Sequence, residues 1–386
     1  MPIELYALAL GTFAVGTTEF VIMGLLPNVA EALQVSIPVA GLLVSGYALG
    51  VVIGAPIMTL GTARIDRKTL LVSLMSLFVI GNLMSAFAPN YMVMLAGRIV
   101  SSFMHGAFFG VGSVVGAHLV PQEKQARAIS LIFSGLALSN IIGVPLGTAI
   151  GQYASWRLSF GLVSLLGLAT AAFLFFALKP QAPDAIGAVA KELSVLKRSG
   201  VWLALCTTTF GFGGVFVVWT YIAPILHEAT RLSPDTMTLV LFIYGVGLTL
   251  GNHLMGRLSD KSLSLSIYGA LGGLVILMSI FAYTMTDALT GGITIFLLGF
   301  AAFGTIPPLQ IGIMKAAQGA PNLASALNIA AFNLGNAGGA WIGSRLIDHN
   351  FNYPSLAMTG AFISAVGFLF AFAIYGTGRA TVSSTN

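Results

Sequence analysis

The sequence predicts an all-α membrane protein whose twelve transmembrane helices form two pseudo-symmetric six-helix bundles. Three observations predict this fold. The 386 residues are 57% hydrophobic and only 8% charged, whereas a soluble domain carries about 25% charged residues. The apolar residues fall into runs of about 20 residues, the length that a helix needs to cross a bilayer. The two halves of the chain also repeat each other.

The apolar runs are rich in glycine and helical in period, which argues against a β-barrel. Twelve predicted spans lie at 5–28, 38–61, 69–88, 91–118, 127–151, 157–178, 201–226, 235–257, 264–284, 289–315, 322–346 and 353–376. The one long connection, 179–200, is charged and contains proline, so we predict a cytoplasmic linker there. The predicted bundles are therefore 1–178 and 201–386.

The repeat is visible at a fixed shift along the chain. At a shift of 197 residues, matches recur that include rare types as well as glycine. They pair Gly16 with Gly213, Pro27 with Pro224, Glu31 with Glu228, Tyr47 with Tyr244, Gly50 with Gly247 and Gly54 with Gly251. At a shift of 196, Asn140, Gly143 and Gly147 fall on Asn336, Gly339 and Gly343. Parallel six-span halves of this kind occur in transporters, with the substrate site near the midplane.

The basic residues predict the orientation. All but four of the 17 Lys and Arg residues lie in one set of loops; the exceptions are Arg98, Arg157, Arg231 and Arg345. Because cytoplasmic loops are enriched in Lys and Arg, both termini are predicted to be cytoplasmic. The net charge of +5 belongs to these loops and does not indicate nucleic-acid binding. The single cysteine, Cys206, cannot form an intrachain disulfide.

Glu19 lies inside the first predicted span and is a candidate functional residue. Charged groups inside a membrane are costly and mark functional sites by default, and burial favours the neutral form of a carboxyl group. Glu19 is therefore a candidate proton carrier. The alternative is a structural ion pair with a basic residue of another helix. The repeat argues against that alternative, because Phe216 stands at the equivalent position and the fold does not require an acid there.

Six short stretches resemble a known family. They are GTTEFVIMGLLP at 16–27, GAPI at 54–57, RIVSSFMHGAFFG at 98–110, GVPLGT at 143–148, WR at 156–157 and TYIAP at 220–224. Together, and in this order, they resemble the major facilitator superfamily. Within it, the resemblance is to the twelve-span drug–proton antiporters and to their arabinose-efflux-permease-like and sugar-efflux branch. It covers the whole chain and implies the major facilitator fold.

The resemblance implies which residues control the conformational change. The acid of the family's loop 2–3 motif is missing, since Ala63 stands at its position, whereas the second-half copy keeps Asp260 beside Arg257. Arg257 is explained equally well as a positive-inside charge. The stretch with Gly143, Pro145 and Gly147 resembles the antiporter motif. Small residues let helix backbones approach each other, although ordinary bundle packing produces the same pattern.

Two residues of the fourth span are candidate partners of Glu19. Arg98 and His105 are seven residues apart and share a helix face. Arg98 keeps its charge, whereas histidine titrates near neutral pH. In the family the resemblance implies, spans 1, 4, 7 and 10 line the cavity, so Glu19 is expected to contact Arg98, His105 or both. A histidine that bonds a carbonyl and never titrates is the alternative for His105.

The second half contributes a wall of aromatic and amide side chains. Candidate substrate-binding residues on spans 7 and 11 are Phe212, Phe216, Trp219, Asn328, Phe332 and Asn336, and those of the first half are Met23, Phe109 and Asn140. Aromatic stripes alone are more often packed core or lipid-facing. Amides at helical spacing favour a cavity, because polar groups in a membrane face the bundle interior. Such a wall suits a sugar or a flat drug.

The sequence therefore predicts a proton-coupled exporter of a small molecule in the bacterial inner membrane, working by rocker-switch alternating access. It contains no enzyme signature, metal cluster or nucleotide-binding loop, so we predict no catalysis and no cofactor. Its partners are the substrate, protons and the lipid bilayer, without nucleic acid, and a monomer suffices. The alternatives are a proton-coupled importer, a sugar facilitator, or a membrane sensor that transports nothing. The substrate is not identified by these residues.

Overall fold

The computed structural model describes residues 1–62, 64–181, 194–317 and 321–376. These residues form helices joined by short turns, and no β-strand occurs in the described ranges. The predicted all-α class is confirmed. Ala63, and residues 182–193 of the predicted linker, lie outside the described residues.

The helices keep the numbers of the predicted spans. Helices 1 to 6 are Ile3–Gly24, Ile37–Gly61, Arg67–Ala86, Tyr91–Ser102 continued by His105–His118, Gln125–Leu138 continued by Val144–Ile150, and Trp156–Ala177. Helices 7 to 12 are Ser199–Trp219, Pro234–Lys261, Leu263–Thr284, Ala288–Gly304 continued by Ile306–Ala316, Pro321–Asp348, and Tyr353–Ala371. Helix 1 is followed by a short helix, Leu26–Ala32, and helix 5 contains π-helical turns at Ser139–Gly143 and Gly151–Ser155.

Within the described ranges, 10 helical stretches are long and apolar enough to cross a membrane. One of them, Gln122–Ala177, holds both helix 5 and helix 6. It divides at Ser155, whose backbone is extended (φ −164°, ψ 136°) and whose side chain accepts a hydrogen bond from the Arg157 backbone N–H, which starts helix 6. Helix 11 is not among the 10, because asparagines interrupt its apolar sequence.

The chain divides into two compact units, Met1–Ile186 and Gly187–Asn386, called unit 1 and unit 2 below. In unit 1, apolar side chains of helices 1, 3, 4 and 6 form a continuous core that includes Leu8, Phe78, Phe108 and Leu174. Helices also approach each other closely at glycines, as described next for helices 1 and 5 and for helices 7 and 11.

Helices 1 and 5 of unit 1 approach closely at glycines. A Cβ atom at Gly143 would overlap Oγ1 of Thr17, and one at Gly147 would lie 2.7 Å from Cγ2 of Val21. Gly135 is tighter still, because its Cβ would overlap the backbone oxygen of Ala9. The close approach predicted for the glycine motif is therefore present, and its partner is helix 1, which carries Glu19.

Helices 7 and 11 of unit 2 pack in the same way. A Cβ atom at Gly213 would lie 2.9 Å from Cα of Gly335, and one at Gly339 would overlap the carbonyl oxygen of Gly213. Gly213 and Gly339 are the repeat equivalents of Gly16 and Gly143. In each unit, the same pair of helices thus makes close backbone contacts at glycines.

Candidate functional site

The described part of unit 1 buries a cluster of polar and charged side chains from helices 1, 2 and 4. Its members are Glu19, Tyr47, Arg98 and His105, with exposures of 8%, 2%, 1% and 7%. The sequence predicted three of the four. A membrane bundle gains nothing from burying such groups unless they serve one another or a ligand, so their arrangement defines what the site can do.

Arg98 binds the main chain of helix 1. Its Nη1 donates to the carbonyl oxygen of Thr18 at 2.5 Å, and its Nη2 donates to that of Glu19 at 3.3 Å. The guanidinium carbon also lies 4.2 Å from the centroid of the Tyr47 ring, a cation–π geometry. The predicted contact between Arg98 and Glu19 therefore exists, but through the backbone oxygen of Glu19 and not through its carboxylate.

His105 faces the carboxyl group of Glu19. Its Nδ1 lies 4.0 Å from Oε2 of Glu19 and 3.2 Å from the hydroxyl oxygen of Tyr47. The imidazole ring stacks on Phe109 with the centroids 5.1 Å apart. Among the described residues, no side chain hydrogen-bonds the carboxyl oxygens of Glu19. The acid is thus held near one titratable group while keeping its own proton-accepting oxygens available.

The break in helix 4 falls immediately before His105. Helix 4 stops at Ser102 and resumes at His105, after a turn at Phe103 and Met104. The break in helix 4 therefore lies beside the Glu19–His105 pair.

Tyr47 is the site residue that the sequence analysis missed. It contacts both Arg98 and His105 and so connects the fixed charge to the titratable ring. A signal was present, because Tyr47 matches Tyr244 in the repeat. A second missed contact lies one residue before Glu19, where the Thr18 hydroxyl donates to Oδ1 of Asn82 in helix 3.

The other predicted binding residues of unit 1 are buried. Met23 is 1% exposed, Phe109 lies under the His105 ring, and Asn140 is 4% exposed. Asn140 sits in the π-helical turn of helix 5 and donates to the carbonyl oxygen of Leu136 at 3.0 Å. Their role in substrate binding stays a prediction.

Phe212 is the centre of an aromatic cluster in unit 2. Its ring centroid lies 5.7 Å from that of Phe216, 5.0 Å from that of Phe332 in helix 11, and 6.4 Å from that of Phe303 in helix 10. Phe303 was not predicted, since nothing in its neighbourhood distinguishes it from other apolar residues of that helix. The structure brings the three predicted phenylalanines together.

Trp219 lies apart from that cluster in its ring contacts. Its ring stacks on Tyr244 of helix 8 with centroids 3.4 Å apart and planes inclined by 18°. Val215, Val218, Met278 and Leu298 surround the pair. One face of the indole is therefore covered by protein, and its contact with substrate stays a prediction tested below.

The predicted asparagines of helix 11 differ in what they bind. Asn328 accepts from the Thr208 hydroxyl at 2.7 Å and donates to Oε1 of Gln310 at 2.8 Å, so its amide is engaged within the protein. Asn336 is 4% exposed, and its Oδ1 has no hydrogen-bond partner among the described residues. The free acceptor of this wall is therefore Asn336.

The predicted gating residues of helix 8, Arg257 and Asp260, lie exposed near its C-terminal end. The described residues show no ion pair of Asp260. At the corresponding loop of unit 1, Asp66 caps helix 3, accepting from the backbone N–H groups of Lys68 and Thr69 at 2.8 and 3.1 Å. The carboxylate of Asp66, three positions after Ala63, is thus bonded to the backbone at the start of helix 3.

These helices and this buried acid define a multi-pass membrane transporter. A family model described as Major Facilitator Superfamily matches residues 8–321. The chain belongs to the major facilitator superfamily, which confirms the resemblance drawn from its motifs.

Three relatives illustrate the similarity. "Inner membrane transport protein YdhP" of Escherichia coli K12 is 44% identical over 368 residues, 95% of each chain. "Putative transporter AraJ" of the same organism is 35% identical and covers 93% of this chain and 91% of the relative. A "Probable sugar efflux transporter" of Helicobacter pylori (strain ATCC 700392 / 26695) is 31% identical and covers 96% and 93%.

Two solved structures share the fold. The xylose transporter XylE from E. coli, in a partially occluded inward-open conformation, aligns with a TM-score of 0.72 at 19% identity. A D-xylose–proton symporter aligns with a TM-score of 0.75 at 18% identity. Each alignment covers 96% of both chains. At these identities the likeness shows the fold alone.

Proposed function

We propose that the protein is a proton-coupled exporter of a small molecule such as a sugar or a drug. The observation that carries the proposal is the carboxyl group of Glu19, buried in helix 1 at 4.0 Å from His105. Movement of the two units around a substrate by rocker-switch alternating access completes the proposed cycle. Glu19 loses or gains its proton as access changes sides.

The neighbours of Glu19 support this division of roles. Arg98 is bound to the helix 1 backbone through the carbonyl oxygens of Thr18 and Glu19, so its positive charge is fixed beside the acid. His105 and Tyr47 share a hydrogen bond at 3.2 Å, which orients the ring toward the acid. A fixed charge beside an acid without hydrogen bonds from the described residues suits a group that must switch.

Export of a sugar is favoured by the relative named as a probable sugar efflux transporter, at 31% identity. Import remains the rival direction. The test uses inverted membrane vesicles with a proton gradient, loaded with a pH dye. Addition of a transported sugar should raise the internal pH as protons leave in exchange. Sugar uptake without any proton movement would indicate a facilitator, and no uptake of any compound would indicate a sensor.

The orientation of the termini is also a proposal. A reporter enzyme that is active only in the periplasm, fused after Asn386, should give no signal, because the positive-inside rule places both ends in the cytoplasm. The same reporter inserted after Arg231, in a loop of the opposite set, is the control and should be active. A strong signal from the Asn386 fusion would mean that the C-terminus is periplasmic and that the proposed orientation is wrong.

Trp219 gives a test of the substrate wall in unit 2. If its other face stacks on substrate, Trp219→Ala should raise the apparent KM about fivefold, since stacking on an aromatic ring contributes about 1 kcal/mol. The pH dependence of transport should not change, because Glu19 is untouched. The control is Trp341→Ala, a tryptophan that is 54% exposed in helix 11. Normal affinity in Trp219→Ala would assign the residue to packing against Tyr244.

A further inference from the structure

Unit 1 contains a cavity that the Glu19 cluster does not use. It is open to the surface, has a volume of about 410 Å³ and lies between the short helix Leu26–Ala32 and the turn from helix 5 into helix 6. Its polar lining comes from Asn28, Glu31, Gln152, Ser155 and Arg157, beside the indole of Trp156. A volume of a few hundred Å³ is in the range of small-molecule sites.

One residue of the cavity lining has a polar atom without a partner. Oε1 of Gln152 is buried and makes no hydrogen bond among the described residues. Gln152 stands in the π-helical turn Gly151–Ser155, and such turns occur frequently at functional sites. A buried amide oxygen without a donor costs stability, so rotation of the Gln152 side chain toward a ligand that donates a hydrogen bond would be favoured.

The acid that lines the cavity has different contacts from its repeat equivalent in unit 2. Glu31 corresponds to Glu228 in unit 2, where the Tyr353 hydroxyl donates to the carboxylate at 2.8 Å. Tyr353 is the first residue of helix 12, and the first residue of helix 6 is Trp156, which has no hydroxyl group. Among the described residues, the Glu31 carboxylate makes neither a hydrogen bond nor an ion pair. Unit 1 therefore lacks the bond that the corresponding acid makes in unit 2.

Among the described residues, the cavity lining has one acidic and one basic side chain, Glu31 and Arg157, which do not pair with each other. Arg157 lies over the Trp156 ring at 4.2 Å and donates to the carbonyl oxygen of Ala88 at 2.9 Å. It forms no ion pair with Glu31 within the described residues. The lining thus offers a carboxylate and an amide oxygen as acceptors, a guanidinium as donor, and two further side chains that do both. Adjacent hydroxyl groups, which donate and accept in turn, match this set.

We propose that this cavity is a second binding site, for a neutral sugar, separate from the residues around Glu19. The proposal rests on the proposed export function and names the substrate class for it. With the proposed topology the cavity opens at the periplasmic end of unit 1, where an exported sugar leaves. A sugar that occupies it from outside would slow further release.

Cysteine protection tests the site directly. Ala154 is exposed and lines the cavity, so Ala154→Cys in a Cys206→Ser background can be labelled with a maleimide in purified protein. The probes are D-xylose, D-glucose and lactose. At about twice the Kd, a third of the sites is free, so at least one sugar should slow labelling about threefold. Sugar-dependent fluorescence of the intact protein, compared with Trp156→Phe, is a readout without cysteine.

Gln152→Leu is the variant that decides the proposal. It should abolish protection of Ala154→Cys while leaving the labelling rate without sugar unchanged, because it removes the free acceptor. The matched control, Glu228→Ala, alters the corresponding acid of unit 2 and should keep protection. Absence of protection and of a fluorescence change with all sugars, or undiminished protection in the Gln152→Leu variant, would overturn the proposal. Protection by phosphoethanolamine alone would do the same and indicate a lipid headgroup.

The transport assay separates this proposal from the proposed function. Protection without any sugar-driven proton movement would leave the cavity site standing and remove the exporter. Sugar-driven proton movement without protection would leave the exporter and remove the cavity site.

Discussion

Replacement of Glu19 by glutamine is expected to abolish uphill transport and to leave substrate exchange intact. The amide keeps the shape of the side chain but exchanges no proton, so export can no longer draw on the gradient. One proton crossing 100 mV contributes about 2.3 kcal/mol, which corresponds to a concentration ratio of roughly fiftyfold. The accumulation ratio in energised vesicles should fall from that order to about one. Exchange of labelled for unlabelled substrate is the control, since it moves no net proton.

Equilibrium binding gives the same variant a second readout. If proton and substrate compete, the protonated site binds substrate less well, so wild-type affinity should rise from about pH 6 to about pH 8, a range that brackets neutral pH. Binding to Glu19→Gln should be flat over that range. His105→Gln serves as the comparison and should shift the pH profile without removing coupling. Accumulation by Glu19→Gln would move the proton site elsewhere, with His105 as the first candidate.

Gly339→Ala is expected to destabilise unit 2 strongly. Its added methyl group would overlap the carbonyl oxygen of Gly213 and lie 3.0 Å from Cβ of Phe216, so helices 7 and 11 must separate. Overpacking of this kind costs about 1–3 kcal/mol, and here the obstacle is backbone, which cannot rotate away. The apparent melting temperature of the purified protein should fall clearly, and expression with it.

The neighbouring glycine supplies the matched control. A Cβ atom at Gly338 would meet nothing within 4 Å. Gly338→Ala should therefore be neutral or stabilising by about 1 kcal/mol, the gain in helix propensity. If both variants melt at the same temperature, close packing at Gly339 does not hold unit 2 together.

Much of the fold was predictable because apolar runs, glycine spacing and the repeat can all be read directly from the order of residues in the sequence. The spacing of Gly143, Gly147 and Gly339 indicates close contacts between helices, and helices 1 and 5, and 7 and 11, do pack closely there. Helix 11 shows the limit of hydropathy alone. Asn328, Asn333 and Asn336 lower its mean hydropathy below that of the other spans, although 322–346 was predicted as a span from its run of apolar residues and matches helix 5 in the repeat.

The candidate site was predictable in its members but not in its bonds. Glu19, Arg98 and His105 stand out as ionisable groups in apolar runs, so their burial together follows. Which atoms meet depends on helix rotation and rotamers, which spacing does not determine. Arg98 therefore was expected at the carboxylate and is found on backbone oxygens. Asn328, expected to face substrate, is bonded to Thr208 and Gln310, partners far away in the sequence.

The hold of Arg98 on main-chain oxygens has an evolutionary consequence. Every residue type at position 19 offers the same carbonyl oxygen, so the clamp between helices 1 and 4 survives any exchange of the side chain there. If Glu19 is the coupling acid, as proposed, that acid can be lost or gained without loss of this contact between the helices. A single substitution at position 19 would then turn the proposed proton-driven exporter into a facilitator, and the reverse substitution would introduce proton coupling.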